Sequence, residues 1–243
     1  MIFLVFFNKK SYIVIMKNSR KIALFLVLFV GFTAYSYGES FYSMAFGFNR
    51  SFEQYPSENY GRDLDGSYFD VMLHYYPEEF PLGWFLKTSF GSYQNGIEWM
   101  DDKLQPLSAY SISDIRISAG PSMKLQLGQR IHFPLSMGLV FSNYWEESDY
   151  GNYFDGYYSN FYRALNIGLS GDVAIVINPF RRFTIINGLN LSWDFLHWER
   201  GYVQGNLRNI NNGRFNLVNY HAFKMTFFMG IGLRFNDIAR EES

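Results

Sequence analysis

Four histidines and two acidic motifs are the features of this sequence that could support catalysis or metal binding. His197 lies in FLHWER and His221 in NYHAF, and neither has a serine two residues away, so a serine–histidine nucleophile is not predicted. We expect both to pack at the lipid-facing surface near the long connections. His74 and His132 fall on a polar strand face, where a hydrogen-bond network is favoured over a metal site.

The acidic motifs carry no stronger signal for chemistry. Asp101 and Asp102 in WMDDK have no histidine nearby, and DLDG at 63–66 is too short to indicate a calcium loop. The sequence contains no glycine-rich phosphate loop and no cysteine, which excludes thiolate metal sites. It therefore predicts no catalytic residue, no metal site, no cofactor and no enzymatic activity.

Nine other charged residues share one environment, a strand face whose remaining residues are mostly Gly, Ser and Ala. The acidic members are Asp70, Asp114, Asp172 and Asp194, and the basic members are Lys87, Arg116, Lys124, Lys224 and Arg234. A buried charge is tolerated only with a partner. Both signs on one crowded face therefore predict a paired network inside the molecule.

Strands must position these charges, because apolar residues recur with a period of two rather than 3.6. Eight such segments are predicted, near residues 40–52, 67–76, 83–93, 113–127, 131–145, 161–177, 182–198 and 216–235. Pro121 and Pro134 lie inside two of them and predict a bulge or a locally weak hydrogen-bonded seam.

The connections between these segments alternate between short and long. The short ones are 77–82, 128–130 and 178–181, and the long ones are about 53–66, 94–112, 146–160 and 199–215. Consecutive antiparallel strands explain this alternation, because all the short turns then lie at one end and all the long loops at the other.

The two strand faces indicate which solvent each one meets. Eight strands enclose a lumen that side chains fill, which suits the small polar face, and the bulky Phe, Leu, Ile and Met residues then face lipid. Aromatic residues near the segment ends are typical of interfacial girdles: Tyr42, Trp84, Trp145, Phe183, Trp193 and Phe195. The predicted fold is all-β, an eight-stranded antiparallel up-and-down transmembrane β-barrel. An exported soluble β-sandwich is the alternative.

The N-terminus has the pattern of an export signal, which we assign to residues 1–38, with Met16 as the predicted start of translation. A basic start precedes an apolar stretch over 22–32, and small residues follow up to Gly38. The rest of the chain carries 16 basic and 22 acidic residues, which argues against nucleic acid as a partner.

The last segment carries the most specific local pattern, in which alternating apolar residues end on an aromatic one. These residues are Phe227, Met229, Ile231, Leu233 and Phe235. With the alternation over about 40–235, this pattern resembles the small outer-membrane barrels of the OmpA-transmembrane, OmpX and OmpW type. The resemblance implies a barrel domain over 39–235 in the lipid of the cell outer membrane. It also implies recognition of the last strand by the barrel-assembly machinery, and short turns facing the periplasm. Members of the family usually stop at this Phe, whereas here a tail follows over 236–243.

The lumen and the loops carry the functional prediction. The charges favour a plugged, narrow lumen. Candidate contact residues for a host or environmental ligand are Tyr150, Tyr153, Phe154, Tyr157 and Tyr158. That the loops simply order themselves above the headgroups is an equally supported interpretation. A structural or surface-interaction role is preferred. The alternatives are a small channel for ions or apolar solutes, which the OmpW-like resemblance implies, and, least favoured, a lipid-modifying enzyme.

Overall fold

The structure is a computed structural model that describes residues 38–56, 60–77, 80–100, 103–106, 110–128, 130–152, 156–204 and 216–235. Of the export signal predicted over 1–38, residues 1–37 lie outside the described residues, as does the tail over 236–243, whereas Gly38 is the first residue of a strand. Within them, no helix is long and apolar enough to cross a membrane, a finding that concerns helices alone.

The described chain is built from strands. They are β1 (Gly38–Tyr55), β2 (Tyr60–Pro77), β3 (Leu82–Met100), β4 (Lys103–Pro106), β5 (Tyr110–Leu127), β6 (Ile131–Asn152), β7 (Gly156–Ile177), β8 (Phe183–Gln204), β9 (Asn216–Val218) and β10 (His221–Phe235). Eight of these ten described strands pair in the order β1-β2-β3-β5-β6-β7-β8-β10, all antiparallel, and β10 returns to β1. The predicted fold class, a closed eight-stranded barrel, is confirmed.

The long connections differ from the prediction, because much of each is strand. The predicted loop over 146–160 is the tip of a hairpin in which β6 and β7 are each 22 residues long and pair as far as Asn152 and Gly156. A tilted strand crosses a membrane with roughly 10 residues. About half of this hairpin therefore projects beyond the membrane. We call this end of the barrel the hairpin end and the opposite end the short-turn end.

The strand faces separate as the alternation predicts. On β1, Met44, Phe46 and Phe48 are 57%, 71% and 79% exposed, whereas Ala45 between them is fully buried. Large apolar side chains exposed in a continuous belt around a closed barrel need a lipid solvent. The closed ladder leaves no unpaired strand edge in that lipid.

The two prolines interrupt the ladder without shifting its register. Pairing between β5 and β6 stops at Ala119 and resumes at Ser122, and pairing between β6 and β7 stops at His132 and resumes at Leu135. Pro121 and Pro134 lie in these gaps. The sequence prediction of a weak seam matches this geometry, and the alternative of a bulge does not.

A bulge does occur in β8, where sequence analysis placed none. The register between β7 and β8 shifts between Ile167 and Gly168, so that Phe195 is an extra residue on β8. Asp194 and His197 consequently both point inward although they are three residues apart. The predicted lipid-facing position of His197 is therefore wrong, since its side chain is 2% exposed.

Candidate functional site

The lumen is the candidate site, and its centre is a cluster of four charges from β5, β8 and β10. Lys224 Nζ lies 3.2 Å from Asp114 Oδ2 and 3.3 Å from Asp194 Oδ2. Arg116 Nη2 lies 3.1 Å from Asp194 Oδ1, and its Nη1 lies 3.8 Å from Asp114 Oδ2. Tyr68 Oη donates a hydrogen bond of 2.7 Å to Asp114 Oδ2. Two positive and two negative charges give this central cluster no net charge.

Strand alternation and register bring the four residues of the central cluster together. Asp114 and Arg116 are two residues apart on β5 and so share the inner face. Ala222 of β10 pairs with Asp194 of β8, which sets Lys224 close to that carboxylate. Gly91 supplies the space for Tyr68, because a Cβ at this inward glycine would lie 2.3 Å from Tyr68 Cζ.

A second ion pair crosses the lumen closer to the short-turn end. Lys87 Nζ donates to Asp172 Oδ1, which also accepts a hydrogen bond of 3.1 Å from Asn190 Nδ2. The Lys87 ammonium lies 5.8 Å from the ring centroid of Phe228. A lumen cavity lined in part by Lys87 and Arg116 has a volume of about 10 Å³. This volume has room for about one water molecule.

Aromatic rings fill the next layer. The Phe41 ring stacks on His74 with centroids 4.5 Å apart, and the His132 ring approaches it edge-on at 5.2 Å. Tyr76 Oη lies 2.7 Å from Ser122 Oγ, which lies 2.8 Å from Ser136 Oγ. The two histidines occupy a packed layer. Among the described residues no three His, Cys, Asp or Glu side chains are grouped to hold a metal ion.

Charge pairs also lie at both ends of the lumen. At the short-turn end, Glu39 accepts from Lys124 and lies 2.8 Å from Arg234 Nε. At the hairpin end, Arg62 Nε donates to Glu53 Oε2 at 2.6 Å and its Nη1 donates to Glu146 Oε2 at 2.9 Å. Arg62 Nη2 also donates to Tyr144 Oη at 2.5 Å.

His197 belongs to this upper region of the lumen and has packing partners on both sides. Its Nδ1 lies 2.5 Å from Asn166 Oδ1, and its ring stacks on Tyr220 with centroids 3.9 Å apart. Its Nε2 lies 3.3 Å from Glu199 Oε2, so both ring nitrogens have polar partners. His221 is exposed, 6.2 Å from the ring centroid of Trp193, in agreement with its predicted exterior position.

The nine predicted lumen charges all face inward, and eight of them lie in the ion pairs described above. Asp70 is the exception among them: it is 2% exposed, and its Oδ1 has no hydrogen-bond partner within the described structure. Sequence analysis missed Glu39, Glu53, Arg62 and Glu146. Glu53 could have been predicted, because every second residue of β1 points inward and this alternation continues through Ser51 to Glu53.

The other predicted site residues are the assembly signal of the last strand and the loop aromatics. The five apolar residues of the predicted assembly signal are 44–67% exposed along β10, which pairs with β1. Of the loop aromatics, Tyr150 pairs with Tyr158 and Tyr157 pairs with Gly151 in the hairpin backbone. Tyr153 and Phe154 lie outside the described residues.

Solved bacterial outer-membrane proteins share this architecture. A major outer membrane protein from Thermus thermophilus superposes with a TM-score of 0.50 at 12% identity, covering 81% of this chain and 99% of that one. Ail of Yersinia pestis gives 0.41 at 14% identity, covering 82% and 100%. The protease OmpT of Escherichia coli gives 0.42 at 9% identity, covering 81% and 96%. No family model matches the sequence, and no curated protein matches it.

At these identities the likeness concerns the fold alone, and one fold hosts many functions. The closed ladder, the apolar exterior belt and the polar interior are the features that this chain has in common with such proteins. The protein therefore has the fold of the small eight-stranded bacterial outer-membrane barrels, and its exterior is built for the outer membrane.

Proposed function

We propose that this protein is a closed outer-membrane barrel with a structural or surface-interaction role, rather than a pore. The observation that carries this proposal is the filling of the lumen. Three successive levels of ion pairs, centred on Arg62, Lys224 and Lys87, lie across the lumen between its two ends. The aromatic layer around Phe41 lies below them. The lumen cavity beside the central cluster, at about 10 Å³, is too small for a hydrated ion, which supports a closed lumen.

Planar-bilayer recording tests the closed lumen. The refolded protein should give no stepwise current at moderate voltage, whereas a general porin inserted under the same conditions should conduct. Heat-modifiable migration on a gel, measured on the same sample, establishes that the barrel is folded. Reproducible unitary currents from the folded protein would contradict a closed lumen.

The surface role rests on the hairpin end. The β6–β7 hairpin projects well beyond the apolar belt, and its tip concentrates Tyr, Phe and acidic residues. Tyr in polar surroundings provides large contact area at low cost in conformational entropy. The proposed contacts with a host or environmental ligand are Tyr150, Tyr153, Phe154, Tyr157 and Tyr158. Protease added to intact cells should cut within 146–160, and protection there would reverse the proposed orientation.

A second candidate, passage of apolar solutes, is favoured by one feature of the outer wall. An apolar groove of about 620 Å³ lies over the proline-interrupted seam, lined by Pro121, Met137, Val173 and Leu189 among others. Inside the wall at this seam, Ser122 and Ser136 are hydrogen-bonded to each other. If apolar solutes pass here, vesicles containing the protein should take up an apolar dye faster than empty vesicles. Equal dye uptake by vesicles with and without the protein would exclude passage of apolar solutes and favour the closed barrel with a structural role.

A further inference from the structure

Two turns at the short-turn end bring three exposed arginines to one edge of the barrel. Arg130 lies in the turn between β5 and β6, and Arg181 and Arg182 lie in the turn between β7 and β8. The backbone N–H of Asn178 donates to Arg130 O at 2.8 Å, and that of Arg234 donates to Arg182 O at 2.8 Å. The first bond links the two turns to each other, and the second links the β7–β8 turn to the end of β10. The three arginines therefore lie along one side of the barrel end.

Two of these arginines lack an acidic partner among the described residues. Neither Arg130 nor Arg182 has a side-chain hydrogen bond or an ion pair within the described part of the chain. The described carboxylate at this end, Glu39, is already shared by Lys124 and Arg234. In the sequence, the acidic pair Glu78–Glu79 belongs to a different turn, between β2 and β3.

Exposed apolar side chains flank these arginines. Phe180 is 72% exposed and precedes Arg181 directly, with its ring centroid 6.5 Å from that of Phe183. Leu127, at the end of β5, is 65% exposed. We call Leu127, Arg130, Phe180, Arg181 and Arg182 together the basic rim.

The position of the basic rim along the barrel axis matches a lipid interface. The exterior residues of β7 that lead to it, Val173, Ile175 and Ile177, are apolar and 56%, 44% and 38% exposed. The strand ends at Ile177, and Arg181 and Arg182 follow within five residues. Apolar side chains at such a boundary reach acyl chains, and guanidinium groups lie at the level of lipid phosphates.

We propose that the basic rim binds the phosphate group of an anionic phospholipid in the leaflet at the short-turn end. A guanidinium group donates two parallel hydrogen bonds to a phosphate, which a point charge cannot do. Phe180 and Leu127 contact the acyl chains of the same lipid and so select a lipid over a free anion. This proposal requires that the barrel spans a membrane, and it does not depend on a closed lumen or on a surface ligand.

The test counts the lipids that remain bound to the full-length, refolded protein. Phosphatidylglycerol and phosphatidylcholine are titrated separately in detergent, and each bound lipid is resolved by native mass spectrometry. The wild-type protein should bind phosphatidylglycerol more tightly. R130Q/R182Q should weaken that binding about 25-fold, because each basic residue near an anionic lipid surface contributes roughly fivefold. The matched control is R50Q/R163Q, which removes two exposed arginines on the exterior near the hairpin end and should leave the binding unchanged.

Further measurements distinguish a lipid site from a simple anion site and provide a second variant if the first does not fold. Excess inorganic phosphate should not displace the lipid, whereas F180A should weaken lipid binding; displacement by phosphate would mean a simple anion site. If R130Q/R182Q does not refold, R130K/R182K keeps the charge and should bind with an intermediate affinity. Equal binding of both lipids by the wild type, or unchanged binding by R130Q/R182Q, overturns the proposal. Conductance measured on the same samples tests the proposed function separately.

Discussion

Replacement of Lys224 by Met tests whether the paired charges of the lumen stabilise the barrel. Met keeps most of the length of the side chain and removes the ammonium group, so the change acts mainly on charge. Lys224 and Asp194 are 1% exposed and Asp114 is fully buried, so water cannot replace the lost partner. The central cluster would then carry two carboxylates against the single guanidinium of Arg116.

The structure sets the size of the expected effect. Removing one partner of a buried ion pair destabilises a protein by about 3–5 kcal/mol, chiefly because a charge is left buried without compensation. Arg116 remains within 3.1 Å of Asp194 and 3.8 Å of Asp114, so we expect the lower end, about 3 kcal/mol. Such a loss changes the unfolding equilibrium by roughly a hundredfold.

The assay is urea unfolding of the protein refolded in lipid vesicles, followed by tryptophan fluorescence, with the slope m required to stay constant. Lys224→Met combined with Asp114→Asn restores neutrality and should recover stability to within about 1 kcal/mol of wild type. Lys124→Met serves as the control, because Glu39 keeps Arg234 as a partner at 2.8 Å. A single Lys224→Met variant as stable as wild type, or a double variant less stable than the single one, would refute the reasoning.

Three further predictions use related measurements. Gly91→Val should destabilise the barrel by about 1–3 kcal/mol, because its Cβ meets the Tyr68 ring at 2.3 Å; Gly171→Ala, with no neighbouring atom closer than 3.7 Å, is the matched control. Arg62→Met leaves two carboxylates at the hairpin end unpaired and should destabilise by about 3 kcal/mol; an unfolding midpoint equal to wild type would contradict this. Phe235→Ala should lower the folded fraction in cells several-fold without preventing refolding in detergent, if the last strand is read during assembly. Equal folded fractions on a heat-modifiability gel would exclude that role.

Strand alternation was enough to predict the fold and the direction of most side chains. A closed eight-stranded barrel has one narrow inside and one lipid outside, and each inward position therefore follows from the one before. This is why Asp114, Arg116 and Lys224 could be assigned to the lumen from spacing alone. Their partners could not be assigned, because pairing across the lumen depends on strand order and register.

The wrong predictions from the sequence, for the face of His197 and for loops at the hairpin end, have two physical causes. The bulge at Phe195 breaks the period of two along β8. A prediction that assumes a constant period therefore assigns His197 to the lipid-facing side, whereas it faces the lumen. The hairpin end was read as loop because its composition is polar, although Glu53 and Arg62 are register partners in paired strands beyond the apolar belt. Outside that belt the polar and apolar faces no longer differ, so the alternation that identifies a strand is lost.

The buried charges have a second consequence, which concerns register rather than stability. A slip of one residue in β5 would turn Asp114 and Arg116 toward lipid and bring Ile115 and Ile117 into the lumen. An Arg facing the middle of a bilayer costs about 2–4 kcal/mol, whereas the Gly, Ser and Ala residues of the inner face would be tolerated on either side. Because a buried ion pair adds little net stability over an apolar replacement, we expect the central cluster to contribute mainly by disfavouring wrong registers. A barrel lined only with small residues should then close in less uniform registers than one whose lumen charges pair.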